Sequence, residues 1–204
     1  MAKTWTWISG WAIDPKQLKA AVERAIPDYL HKVLAPAPDA LEVVIASGAD
    51  RIGGYSLGSL ILLSGLEQIP KTATIVCLAP FIAFCKEDLL GGATPRATLD
   101  TLRQRLKKQP QKTLQLFYRL AGLSDPVPDH LPYPIDSLEW GLNQLAVLKA
   151  NTTALNRVRG VVGLTDPLLD VKTIKSVWPT CYLVNECNHD YHKLLVAVSQ
   201  MDFI

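Results

Sequence analysis

RIGGYSLGSLILLSGL, residues 51–66, is the stretch on which the reading of the whole chain turns. RIGGYS reads as a strand ending at Ser56, and LGSLILLSGLEQI carries on from it as a helix. Ser56 lies between Gly54 and Gly58, a Gly-x-Ser-x-Gly pattern. Composition alone produces about 0.07 such matches in a chain of this size, so the pattern counts only through its surroundings. A nucleophile elbow needs a strand before the serine and a helix after it. It also needs small residues two positions to either side, because the turn is tight and presses the serine outward. The two glycines supply that space; they could instead serve only to let the helix pack closely on its strand.

The segments around the elbow follow an alternating order. TWTWIS near the start reads as a short strand running into Gly10 and Trp11. Residues 15 to about 26 are spaced for a helix with Leu18, Ala21, Val22 and Ala25 on one face. HKVLAP is a strand candidate and PDALEVVIAS a short helical piece. ATIVCLAP is a β-branched apolar run suited to a fully buried parallel strand. From 87 to 123 the sequence reads as helical, broken early by Gly91, Gly92 and Pro95 and divided by Pro110. No further strand is expected before RVRGVVGLT, near 157 to 165. Asp166-Pro167, the helix-like VKTIKSVW, the strand TCYLVNE, the loop CNHDYH and a closing helix through Val198 complete the pattern. Pro-rich stretches at 35–39 and 124–134 read as connections. Strands and helices alternating on both sides of a helical insertion imply a doubly wound, mostly parallel sheet with a cap over its C-terminal edge.

The chain has 204 residues, 49% hydrophobic, with a formal net charge of +2. That suffices for one good core and is short for two independent domains. A balanced charge advertises neither nucleic acid nor an anionic membrane as a partner. MAKTWTWISG lacks a basic segment followed by a long apolar core, so no export leader is expected. LGSLILLSGL is about half of a bilayer span. Cys77, Cys85, Cys181 and Cys187 form no Cys-x-x-Cys pair and read as reduced thiols, in keeping with a cytoplasmic protein.

A serine hydroxyl is a poor nucleophile until a base takes its proton. After an elbow of this kind the chain order is serine, acid, histidine. Asp166 follows RVRGVVGLT and His189 follows TCYLVNE, so both would emerge at the edge that carries Ser56. Asp170 and His192 are their rivals, each expected inside a following helix. Cys187, His189, Asp190 and His192 are ligand types, but no second cluster accompanies them, and neither a metal nor a cofactor is expected. His31 is expected in a strand and His130 in a Pro-rich loop. Acyl transfer also requires donors aimed at the developing oxyanion. The N–H of Leu57, at a helix N-terminus, and that of Trp11, in the loop opened by Gly10, are the candidates.

These motifs together resemble the α/β-hydrolases of the pimeloyl-[acyl-carrier-protein] methyl ester esterase type, from biotin synthesis. SGWAID is similar to that family's oxyanion loop and GYSLGSL to its elbow. LRQRLKKQPQKTLQLFYRLAGL is similar to its lid helices. The stretch from IDSLEWGLNQL through VVGLTDPLLD to a terminal WP follows its pattern through the acid loop. The resemblance implies an α/β-hydrolase fold with core residues 1–84 and 151–204 and a small helical lid, 85–150, inserted before the acid-bearing strand. It implies a serine esterase with Ser56 as nucleophile, Asp166 as acid, His189 as base, and Trp11 and Leu57 as oxyanion donors. Tyr55 takes the place of a pocket tryptophan and Phe117 that of a lid phenylalanine facing the acyl chain, beside Trp11. Ser9 stands where the family has a histidine and Ser59 where it has a glycine. Lys112 falls on a carrier-protein-contacting place and Leu116 on another.

Between 94 and 120 the positive residues are Arg96, Arg103, Arg105, Lys107, Lys108, Lys112 and Arg119, against Asp100 alone. Such a face suits an acidic partner such as an acyl carrier protein, with Arg103 and Lys112 as contacts, or is simply solvated. Leu99, Leu102, Leu106, Leu114, Phe117 and Leu120 would line its underside, for an acyl chain or for packing. Beside the carrier-bound ester stand a generic carboxylesterase or thioesterase for small acyl substrates and a non-catalytic binding protein.

Overall fold

The computed structural model describes residues 3–201. Six parallel strands form the central sheet: β1 (Thr4–Ile8), β2 (Leu30–Leu34), β3 (Arg51–Tyr55), β4 (Thr74–Leu78), β7 (Val158–Gly163) and β8 (Tyr182–Val184). Their spatial order is β2-β1-β3-β4-β7-β8. The interior strands are buried on both faces, which is why residues 75–78 of β4 are continuously apolar rather than alternating. Flanking helices are α1 (Pro15–Ala25), α2 (Ala40–Ala46), α3 (Leu57–Ser64), α7 (Val171–Val177) and α8 (Tyr191–Ser199). Helix α1 packs against α8, and α2 against α3. Asp14 caps α1, accepting from the Lys16 N–H at 2.8 Å, with Pro15 pre-set at the first helical position.

The chain winds from β1 outward to β2 and then returns to the other side of β1 for β3. The crevice where that reversal occurs, beyond the C-terminal ends of β1 and β3, is where an open α/β sheet presents a binding site. Ile8 is paired with Gly54, so the segment after β1 leaves the sheet beside Tyr55 and Ser56.

Above this edge lie three helices, α4 (Arg96–Lys108), α5 (Pro110–Ala121) and α6 (Ile135–Val147), with α4 packed on both others. The expectation of helix from residue 87 is corrected here. Residues 86–88 form a single 3-10 turn, and Gly91–Thr94 is a strand, β6, parallel to β5 (Ala83–Cys85). Gly91 and Gly92 are not helix breakers. A Cβ on Gly92 would stand 1.8 Å from the Phe84 carbonyl oxygen, so only glycine permits this approach of two backbones. β6 also grips the acid-bearing loop: the Ala93 N–H donates to Leu168 at 2.9 Å and the Asp170 N–H to Gly91 at 2.9 Å. Strand β8 is shorter than TCYLVNE suggests, and the chain turns out of the sheet at Asn185. No helix among the described residues is long and apolar enough to cross a membrane.

Candidate active site

Ser56 joins β3 to α3 with φ 53° and ψ −111°, a strained conformation that costs about 1–3 kcal/mol and needs dense surroundings to persist. Those surroundings are visible. A Cβ on Gly58 would meet the Ile8 carbonyl oxygen at 2.1 Å, and one on Gly54 the Gly58 backbone at 2.7 Å. The Ser56 N–H donates to Leu78 on β4, and the Ser56 carbonyl accepts the Leu60 N–H, starting α3. Both glycines therefore shape the turn and also let strand, helix and β1 meet.

His189 Nε2 lies 2.9 Å from Ser56 Oγ, and His189 Nδ1 lies 2.6 Å from Asp166 Oδ2. These three residues come from the ends of β3, β7 and β8. The His189 and Asp166 side chains are wholly shielded from solvent. A carboxylate accepting at Nδ1 fixes the proton there and leaves Nε2 to accept from the serine hydroxyl. Asp166 is itself held by the Leu168 N–H, 2.9 Å from Oδ1. The acid and histidine loops are stitched together, since both the N–H and the hydroxyl of Thr165 donate to the Cys187 carbonyl at 2.9 Å.

Asp170 and His192 lie elsewhere. Asp170 caps α7, accepting from Thr173, and these bonds hold its carboxyl below the usual range. His192 pairs with Asp125 at 2.9 Å, and the Tyr191 hydroxyl donates to the same carboxylate. The ligand types near 187–192 thus turn to different partners, and no three such groups converge among the described residues. Burial pushes the Cys187 thiol up to about 11 and those of Cys77 and Cys181 up to about 12, so none is a ready thiolate. His31 is in β2; His130 is exposed in the loop before Tyr133.

The Leu57 N–H opens α3, where helix geometry leaves it without an intrahelical acceptor. Trp11 is buried beside it: a Cβ on Gly141 of α6 would touch both the Trp11 ring and the Leu57 side chain. The Trp11 indole donates to the Leu138 carbonyl at 2.8 Å and meets Phe117 edge-on, 4.7 Å between centroids. Trp11 and Phe117 line an apolar slot with Leu99, Leu102, Leu120 and Leu168. The slot is nearly closed: its walls leave about 10 Å³, room for no more than a single water. Leu106 and Leu114 are buried but do not line it.

Tyr55 is not among the slot's lining residues. Its hydroxyl donates to the His189 carbonyl at 2.7 Å, and its ring packs against Tyr191. Burial, then the nearby Asp166, raise its pKa well above the usual phenol value, so it remains a donor. Arg103 is half-buried on α4, 2.5 Å from Asp100. Lys112 is on α5.

Sequence reading missed Tyr118 and Tyr133. The Tyr133 hydroxyl accepts the Ala12 N–H at 2.6 Å and lies 3.4 Å from the Gly10 carbonyl, while the Tyr118 hydroxyl donates to the Ala12 carbonyl at 3.1 Å. Burial raises both phenols far above their usual pKa. Nothing local in LQLFYRL or HLPYPID marks these contacts, which span more than 100 residues.

No protein-family model matches the chain, and no curated protein matches it in sequence. Solved structures do. The N-acyl homoserine lactonase AidH, complexed with N-butanoyl homoserine, superposes with a TM-score of 0.65 at 13% identity, over 93% of this chain and 83% of that one. The bottromycin epimerase BotH, in complex with bottromycin A2, gives 0.66 at 12% identity over 98% and 89%. An alpha/beta hydrolase from Sphaerobacter thermophilus gives 0.52 at 17% identity over 97% and 91%. Likeness at these identities speaks to fold, and the fold is that of the α/β-hydrolases, a mostly parallel sheet flanked by helices.

Proposed function

We propose that the protein is a serine hydrolase of carboxylic esters, with Ser56 as nucleophile, His189 as base and Asp166 as the residue that holds the imidazole. The observation that carries this is the buried hydrogen-bonded line Ser56–His189–Asp166 on a strained elbow. Ser56 Oγ attacks the ester carbonyl as His189 Nε2 takes its proton. The tetrahedral oxyanion is met by the Trp11 and Leu57 N–H groups, each worth roughly 3 kcal/mol of barrier. His189 returns the proton to the departing alcohol, leaving an acyl-enzyme. Water activated by His189 then releases the acid and restores the serine. Helices α4–α6 act as the lid, and their movement opens the closed slot between Trp11 and Phe117 to the apolar side of the ester.

The finer reading is the methyl ester of pimeloyl-acyl carrier protein, with Arg103 and Lys112 meeting the acidic carrier. The basic surface of α4 and α5 and the motif resemblance support it. The narrow slot, and the fold shared with a lactonase whose ligand is a short N-acyl compound, favour instead a small acyl ester. An alkyl fluorophosphonate probe tests the common core: labelling of the wild type that vanishes in Ser56→Ala supports an esterase, and an unlabelled wild type favours a binding protein. Growth of a biotin auxotroph lacking its own esterase, restored by this gene, supports the carrier-bound ester. Soluble, active protein without growth assigns the small acyl ester.

A further inference from the structure

Trp11 offers its N–H from a loop that no regular ladder holds. Its orientation depends on the two peptide groups flanking it, Gly10–Trp11 and Trp11–Ala12. Rotation of the first would swing its N–H away and turn the Gly10 carbonyl toward the space where an oxyanion forms. Both peptides converge on one buried atom, the Tyr133 hydroxyl oxygen. It accepts the Ala12 N–H at 2.6 Å and faces the Gly10 carbonyl oxygen at 3.4 Å. Ala12 sits at φ 61°, a left-handed conformation unfavourable for alanine, so this segment has a reason to relax if released. The Gly10 carbonyl has one other backbone donor, Ile13 N–H at 3.3 Å, a long turn bond. Tyr118 meets this loop at the Ala12 carbonyl, one peptide further from the N–H that matters, and also lies 3.5 Å from Gln17 Oε1.

Resting on the esterase reading above, we infer that Tyr133 is a positioning residue: its hydroxyl, bonded to both peptides around Trp11, holds the Trp11 N–H in line with the Leu57 N–H. It touches no substrate atom. Its contribution appears in the transition state, where the oxyanion needs a fixed donor, and not in binding of the neutral ester.

The test compares wild type, Tyr133→Phe and Tyr118→Phe on p-nitrophenyl butyrate. A donor displaced by a fraction of an ångström predicts a kcat about 10- to 100-fold lower in Tyr133→Phe, with KM within about twofold. The pH at which activity rises should not move, because His189 and Asp166 are untouched. Affinity for an alkyl boronic acid, which forms a tetrahedral adduct on Ser56, should fall in step with kcat, while affinity for butyrate holds. Tyr118→Phe should lose less than Tyr133→Phe. Should Tyr133→Phe not fold, combining it with Ala12→Gly relieves the left-handed strain and gives a second protein lacking the hydroxyl. A folded variant with wild-type kcat overturns the inference and leaves the esterase reading standing. Parallel loss of kcat, boronate and butyrate binding with a fall in Tm overturns it in favour of simple seating of the lid. Absence of turnover and of Ser56 labelling in the wild type overturns both readings.

Discussion

Ser56, Asp166, His189 and Trp11 each follow a strand of one parallel ladder, whereas Phe117 belongs to a layer of helices fastened to the sheet mainly through side chains. The ladder fixes the first group by regular backbone bonds: Gly54 is paired with Ile8 and Cys77, and Gly163 with Val184. The helical layer is fastened at separate points. Asp88 receives Arg96 at 3.2 Å and Lys149 at 2.6 Å, gathering the two ends of the insertion at its root. Farther out, side-chain bonds of Trp11, Tyr118 and Tyr133 flank the apolar slot, and Asn188, Tyr191 and His192 reach the loop after α5 at Gly122 and Asp125. A few point contacts can be released together more cheaply than a sheet. On the proposed esterase reading, chemistry belongs to the sheet edge and substrate admission to the helices, and each half of that division can be attacked separately.

The largest effect belongs to the sheet edge. Ser56→Ala should lower kcat about 10⁶-fold, and Asp166→Asn about 10⁴-fold through loss of the correct tautomer, with Tm little altered. Initial rates on a nitrophenyl ester beside thermal melts check this, and an active Ser56→Ala removes the nucleophile from the account. Next comes Gly58→Ala, whose methyl has nowhere to go against the Ile8 carbonyl. A loss of roughly 3 kcal/mol in urea denaturation is expected, and a neutral result breaks the packing argument. On the helical side, Phe117→Ala widens the slot and should lower KM for longer acyl esters about tenfold relative to short ones, while leaving kcat within a few-fold. A kcat-only effect would erase the distinction between the regions.

The smallest effect is far from the site. His31 accepts the Trp7 indole N–H at 3.1 Å through Nδ1 and lies 2.8 Å from the Ile26 carbonyl through Nε2, the pattern of a neutral ring. Burial holds its pKa below the usual 6.5. The unfolded chain therefore takes up a proton that the folded chain refuses. That contribution is complete above the unfolded value and is lost as pH falls through and below it, by no more than about 1.4 kcal/mol per pH unit. Urea midpoints at pH 7.5 and 5.0 should differ less in His31→Gln than in wild type.

What could be read in advance had short range. A Gly-x-Ser-x-Gly between an apolar strand and an apolar helix is a local pattern, and Asp166 and His189 follow their strands by a few residues. Strand β6 was hidden because its glycines resemble helix breakers until the backbone they adjoin, at Phe84, is known. Tyr55 reads as a pocket residue from its place beside the serine, yet its hydroxyl is spent on the His189 carbonyl. Tyr133 carried no signal, since its partners lie at residues 10 and 12.

The amino-acid sequence by itself determined the alternation of strands and helices, the elbow and the order of serine, acid and histidine, because hydrophobic period and glycine spacing act within a few residues. Only the tertiary structure decided how closely Asp166 and His189 approach Ser56, how narrow the apolar slot is, and what holds the Trp11 loop. Those depend on distances of a few ångströms between residues far apart in the chain, and periodicity carries no information about them.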